Sequence, residues 1–349
     1  MNKSFLYVGL ICITLPASAY ADSKYFSLKS DEGFKRFSVS AGWLHTMPQG
    51  AVTSMDVISA AKSGTYRVGD VSKSVVADAA VRESNPALYD TIMSFPADVV
   101  PAAVTGSVQV DSLASWTNHG TGLEATKGDA FGMMFNYHFT DNLSLQIKGG
   151  IPPKVRIKGV GTTYSPLRGT NITPLGDIEL KRDTYITNLE QGSSASTARA
   201  WLPAVELHYQ FGKTGENKLR PYVGAGLVYA HFGSLKLNSV IEAEVAASGH
   251  MIQNILDGEA GPSIEGKPSS ASPVVKVKTT DVFAPVLTLG TTYDLNSNWF
   301  VVGSVSYMPM DSKAKVYVND ANTGRELVYT ETRIDINPIV TYLGIGYRF

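Results

Sequence analysis

Eight stretches of this chain alternate apolar with polar or small residues at a period of two, the pattern of a β-strand whose two faces meet different surroundings. They cover residues 35–47, 129–139, 143–159, 197–211, 219–234, 282–295, 299–318 and 325–349. Their connections are unequal. "TDN", "GKTGENK" and "NSN" are short, polar and turn-forming, and "NDANTG" near residue 320 is also short. The segments 48–128, 160–196 and 235–281 are far longer than hairpin loops. An even number of strands, with short turns at one end and long loops at the other, is the arrangement of an outer-membrane barrel. The sequence therefore predicts an all-β fold: an eight-stranded antiparallel transmembrane β-barrel with long extracellular loops.

The strand faces point the same way. In 129–139, Phe131, Met133, Phe135, Tyr137 and Phe139 share one side, and Gly132, Met134, Asn136 and His138 share the other. In the last stretch, Ile339, Leu343, Ile345, Tyr347 and Phe349 oppose Gly344, Gly346 and Arg348. A soluble sandwich or lipocalin-like barrel turns its apolar face inward. A large aromatic face backed by a glycine-lined one suits lipid outside and a narrow lumen inside. Tyr137, Phe139, Tyr209, Phe211, Tyr293, Trp299, Tyr347 and Phe349 gather near the short turns, as an aromatic girdle at one interface does.

Residues 1–21 read as a secretory signal peptide: a charged start, the apolar run "FLYVGLICITL", and an Ala19-x-Ala21 site. That leaves 22–349 as the barrel and its loops. Cys12, the one cysteine, lies inside the signal, so disulfides are not expected to hold the fold. With 30 basic and 31 acidic residues, charge offers no case for nucleic acid. Six histidines show no metal-ligand spacing, and neither metal nor cofactor is expected. Nor is catalysis: "GVGTTYSPLRG" lacks the lysine of a phosphate loop, and His45 has no serine motif beside it. Glu206 and His208 share a face, but a charge inside a barrel usually pairs with another, here Arg348 or Lys148. In the loops, "SMDVISAAK" with an N-cap-like Ser54, "SVVADAAVRESNPALYDTIM" and "SVIEAEVAASGHMIQNILDG" suggest short helices or extended hairpins, and 258–273 a mobile tip.

"FSVSAGWLHTMPQG", "FNYHFTDNLSLQIKGGIPPKVRIKG", "LPAVELHYQFG", "LRPYVGAGLVYAHF", "YDLNSNWFVVGSVSYMPMDSKAKV" and the terminal "GIGYRF" together resemble the OmpW family of eight-stranded outer-membrane proteins. The resemblance covers the barrel, while the first and third loops look longer than is usual in the family. It implies a narrow barrel with an apolar channel, which small hydrophobic molecules enter from outside and leave sideways into the membrane. It also implies a gate at Phe283, and recognition of the terminal Phe349 by the barrel assembly machinery. Strict alternation would turn Phe283 outward unless Pro285 breaks the register.

Within this frame the lumen face divides by height. Leu44, Met134, Leu202, Val286, Met308 and Val340 form an apolar upper part, either lining a channel or filling a core. Asn136, His138, Gln146, Glu206, His208 and Arg348, with Ser144 and Gln210, form a polar base. Pro152, Pro203, Pro285, Pro309 and Pro338 lie at similar heights, each removing a donor from the ladder, and are candidates for a lateral opening or for bulges that end the membrane section. The expected partners are outer-membrane lipid and a small hydrophobic substrate. The alternative is a surface protein whose barrel anchors large loops for adhesion or partner binding.

Overall fold

The computed structural model describes residues 35–349; the signal-peptide reading of 1–21 lies outside the described residues. Eight strands close a ring: β1 (Phe37–Met47), β2 (Gly128–His138), β3 (Leu143–Gly150), β4 (Ala204–Gln210), β5 (Leu219–Leu237), β6 (Val282–Asp294), β7 (Trp299–Tyr307) and β8 (Ile339–Arg348). Each pairs antiparallel with its sequence neighbour, and β1 closes on β8 with Ser38 opposite Arg348. Alternation sends Phe135, Leu207, Leu289 and Leu343 outward, and Met134, Glu206 and Val286 inward. Among the described residues no helix is long and apolar enough to cross a membrane; the crossing is made by strands.

The girdle at the short turns is a contact network. Phe37 meets Tyr137 at 5.2 Å, Tyr209 meets Phe211 at 5.1 Å, and Trp299 meets Tyr347 at 5.0 Å. Phe349 stacks on Phe37 and Tyr347, and its N–H donates to the Phe37 carbonyl at 3.0 Å. At the other end stands a second girdle that the sequence reading did not single out: Trp43, Phe131, Trp201, Phe283 and Tyr307, all exposed outward, with the Trp43 indole donating to Asp129.

The structure corrects four strand assignments. The stretches 143–159, 197–211, 299–318 and 325–349 are each two strands, broken at Ile151–Pro153, Leu202–Pro203, Met308–Met310 and Ile336–Pro338. A proline lies in every break, where it cannot donate to the ladder. Beyond the breaks the strands continue above the membrane as a cap with two walls. In one wall, Gly122–Ala125, Lys154–Val160 and Ser196–Trp201 pair in order with the upper half of β5. In the other, Pro273–Thr279, Asp311–Asp320, Glu326–Asp335, Val52–Ser59 and Ser115–Asn118 form a five-stranded sheet.

"SMDVISAAK" is therefore a strand over Val52–Ser59 and not a helix, and Ser54 caps nothing. Its own alternation, Met55 and Val57 buried against Asp56 and Ile58 exposed, fits a half-buried strand once Glu326–Asp335 supplies the partner. Helices do form at Lys73–Ala79, Pro86–Met93 and Ser239–Leu256, the last two capped by Asn85 and Asn238. Within 258–273 a short helix, Ala260–Ile264, is buried against Val68 and Val71. These helices pack on a four-stranded sheet (Gly64–Arg67, Ser107–Val110, Thr162–Thr173, Gly176–Asn188) to make a distal lobe whose apolar core runs on into the five-stranded wall at Val57, Val318, Leu327 and Val328.

One carboxylate ties the cap's hairpin tip down. Asp320 accepts from the Ser272 and Asn322 amides at 2.8 and 3.0 Å and from the Thr323 hydroxyl at 2.6 Å. The Thr323 hydroxyl first, then the two amides, hold its carboxyl at about 2. A depressed value means the stabilisation is present above the ordinary carboxylate range near 3.9 and is lost as pH falls towards 2. Hydrogen exchange at Ser272 and Asn322 should accelerate beyond its intrinsic pH trend between about pH 4 and 2, and Asp320→Asn should abolish that excess.

Candidate functional site

Inside the barrel the lowest layer is closed by paired polar groups. Glu206, fully buried, receives Lys148 Nζ at 2.5 Å on one oxygen and His208 Nε2 at 3.0 Å on the other. Lys148 also donates to the Thr288 and Ser306 hydroxyls at 3.1 and 3.2 Å. Gln146 donates to Asn136 at 2.8 Å, Asn136 to Ser38 at 3.2 Å, and His138 meets the same Ser38 hydroxyl at 3.4 Å. Arg348 pairs with Asp294 at 2.7 Å and lies over the Phe300 ring at 4.4 Å, so the partner of Glu206 is Lys148 and not Arg348.

Glycines on the lumen wall make this packing feasible. A Cβ on Gly224 would sit 2.4 Å from the His208 ring, and one on Gly346 would sit 2.2 Å from the Phe300 ring. The space left among these side chains, about 30 Å³, is room for no more than one or two waters. The polar base is a plug.

Above it, Leu44, Leu202, Val286, Met308 and Val340 join one apolar cluster, while Met134 packs with Tyr222, Phe300 and Tyr342 below. Val228 and Val286 are completely buried. At this height the apolar side chains are packed on one another. The large cavity opens one layer higher, between the two walls of the cap: about 130 Å³, lined by Val155, Ile157, Ala198, Leu202, Phe232 and Ile334 among others. Of the six apolar residues singled out from sequence, Leu202 alone reaches it. The rest of its lining comes partly from the upper ends of stretches read as strands, as in "KVRIKG" and "TARAW", and partly from segments read as loops; the facing of the two walls was not visible in either.

Phe283, the expected gate, does not line this space. The register across Pro285 is unbroken, with Phe283 opposite Tyr229 and Pro285 opposite Leu227, so alternation turns the ring outward. It is 76 % exposed and packs on Tyr229 at 4.9 Å, in the upper girdle.

The five prolines occupy three different settings. At β3, pairing with β2 ends at Gly150 opposite Gly132, with one further bond from Ile151 N–H to the Phe131 carbonyl. It resumes where Thr126 N–H meets the Arg156 carbonyl. On the β4 side, pairing stops at Lys148 opposite Ala204 and resumes with Ala200 N–H on the Pro153 carbonyl. Pro152, Pro153 and Pro203 thus border a stretch of wall with few ladder bonds. Pro285 and Pro309 flank a second break, between β6 and β7, where pairing stops at Leu287 opposite Tyr307. Behind it Ala284, Val286 and Met308 are tightly buried. Pro338 sits in a closed seam: its carbonyl accepts from Met308 N–H at 3.2 Å, and Gln49 and Ile336 bond on either side.

Residues 265–349, from the end of the last long loop through β6, β7 and β8, match the model of the OmpW family. The outer membrane protein W of Vibrio cholerae is 24 % identical over 251 residues, covering 72 % of this chain and 88 % of that protein. Both similarities are to outer-membrane proteins of the OmpW kind. Among solved structures, OprG of Pseudomonas aeruginosa is similar at 16 % identity and a TM-score of 0.48, covering 90 % of this chain and 96 % of that one. Outer membrane protein W of E. coli is similar at 17 % identity and a TM-score of 0.33, covering 90 % and 98 %. In an outer-membrane barrel of this form the short turns face the periplasm and the cap faces outside.

Proposed function

We propose that this protein takes up small hydrophobic molecules, holding them in the cap cavity and releasing them sideways into the outer leaflet. The observation that carries the reading is where the cavity meets the wall. Thr126, Gly128, Pro153, Ala200 and Leu202 line the cavity and also border the bond-poor stretch between β2, β3 and β4. The plug below leaves no aqueous path to the periplasm, so the thinnest barrier around a bound guest is lateral. A dry apolar cavity of about 150 Å³ accommodates a benzene-sized molecule, and this cavity is of that order. The β6–β7 break is backed by packed core and is a poorer exit.

Uptake of a fluorescent apolar probe into liposomes tests the reading. Pro152→Ala with Pro153→Ala restores two amide donors, each worth about 1 kcal/mol if the ladder closes, and should slow uptake roughly tenfold or more. Pro285→Ala, beside the core-backed β6–β7 break and outside the cavity lining, should leave uptake unchanged. Equal rates for wild type and the Pro152/Pro153 variant would sink the lateral exit at this place.

The distal lobe favours a second role, display of a folded surface for a partner, because a four-stranded sheet and its helices stand out beyond the cavity. Failure of the intact protein to take up any apolar probe would favour that role over transport.

A further inference from the structure

The outward faces of the two cap walls differ in charge. On the five-stranded wall the basic residues are largely neutralised in place: Lys313 and Lys315 reach Glu331 at 2.6 and 3.5 Å, and Arg333 reaches Asp311 and Asp335 at 3.2 and 2.8 Å. On the other wall Lys154, Arg156 and Lys158 alternate outward along one strand, with Arg199 and Lys236 on the next two, and all five are exposed. None of the five has a carboxylate within 4.0 Å among the described residues. Lys154 stands directly opposite Arg199 in register, Arg156 and Lys236 both face Thr197, and Lys158 alone has an acidic cross-strand neighbour, Glu124. Like charges placed opposite each other on a sheet destabilise it, so this face gains from an anionic counterpart.

Its height says which anion. Lys154 follows the lipid-facing Ile151 by three residues, and Arg199 precedes Trp201 of the upper girdle by two. At about 3.3 Å per residue the patch starts within roughly 10 Å of the girdle, at the level of lipid headgroups. Its three strands span about 10 Å by 13 Å, the footprint of one headgroup carrying more than one phosphate.

We infer that the outward face built by Lys154, Arg156, Lys158, Arg199 and Lys236 is a seat for a phosphorylated outer-leaflet lipid, whose phosphates lie on the basic rows and whose acyl chains run down over Ile151 and Trp201. The patch is continuous with the lipid-facing belt, which a free anion would not need. This seat does not depend on the uptake reading.

The test uses the full chain refolded in detergent, with diphosphorylated lipid A as probe and its fully dephosphorylated counterpart as control. Folding of every variant is checked by heat-modifiable gel migration. Lys154→Gln/Arg156→Gln/Arg199→Gln should weaken lipid A binding by at least about tenfold and flatten its salt dependence. Lys276→Gln/Lys278→Gln/Lys313→Gln, the same charge change on the opposite wall, should leave binding within about twofold of wild type. Equal loss in both triple variants, or equal binding of the dephosphorylated lipid, would overturn the seat. So would displacement of lipid A by millimolar inorganic phosphate, which would mark a site for the free ion.

Discussion

Glu206→Leu should destabilise the barrel by about 3–5 kcal/mol, because it leaves the Lys148 ammonium buried without its counter-charge. Lys148 keeps only the Thr288 and Ser306 hydroxyls, which supply dipoles but no charge. His208 loses its acceptor at the same time. The pair is not by itself a source of net stability, since taking both charges out of water offsets most of their attraction. The double variant Lys148→Met/Glu206→Leu should therefore recover most of the loss. Urea-induced unfolding in lipid vesicles, followed by tryptophan fluorescence, reads both values. A double variant as unstable as the single one would mean that the plug acts through its wider hydrogen-bond network and not through one uncompensated charge.

Ala198→Phe should reduce uptake of a benzene-sized probe by at least about tenfold while leaving unfolding stability within about 1–2 kcal/mol of wild type. Ala198 is buried, opposite Val155, and faces the 130 Å³ cavity, so the added ring enters empty space and not packed core. Filling a void recovers contacts that its lining otherwise lacks, which is why a change that ends transport need not unfold the protein. The comparison variant is Val286→Phe, in the packed layer beneath, where no space is open. There the expected result is reversed: destabilisation by overpacking of about 1–3 kcal/mol. If Ala198→Phe transported as well as wild type, the cavity would lie off the path of the guest.

Much of the barrel was legible from alternation because its two faces meet solvents of opposite character, and a period of two cannot satisfy both by accident. The polar base was legible for the same reason: Asn136, Gln146, Glu206 and His208 fall on the inner register, and their convergence follows from closing the ring. The particular pairing was not legible. Both Lys148 and Arg348 reach the lumen, and strand stagger alone decides that Lys148 meets Glu206 while Arg348 meets Asp294. Phe283 is the reverse case, where alternation read from the residues placed the ring correctly and the position carried over from the family did not.

The cap was the least legible part. Its strands pair with segments distant in sequence, as Val52–Ser59 does with Glu326–Asp335, and "SMDVISAAK" carries helical propensity that such pairing overrides. The five prolines looked alike along the chain, since each removes one donor at a similar height. What separates Pro152 from Pro338 is what stands across the seam: a strand end in one case, bonded backbone in the other. Local sequence determined the eight strands of the barrel ring, the membrane-facing side and the polar floor, because those depend on side-chain periodicity within single segments. The cavity, its meeting with the broken wall, and the unpaired basic face were decided by tertiary structure, because each exists only where segments far apart in the chain come to share one surface.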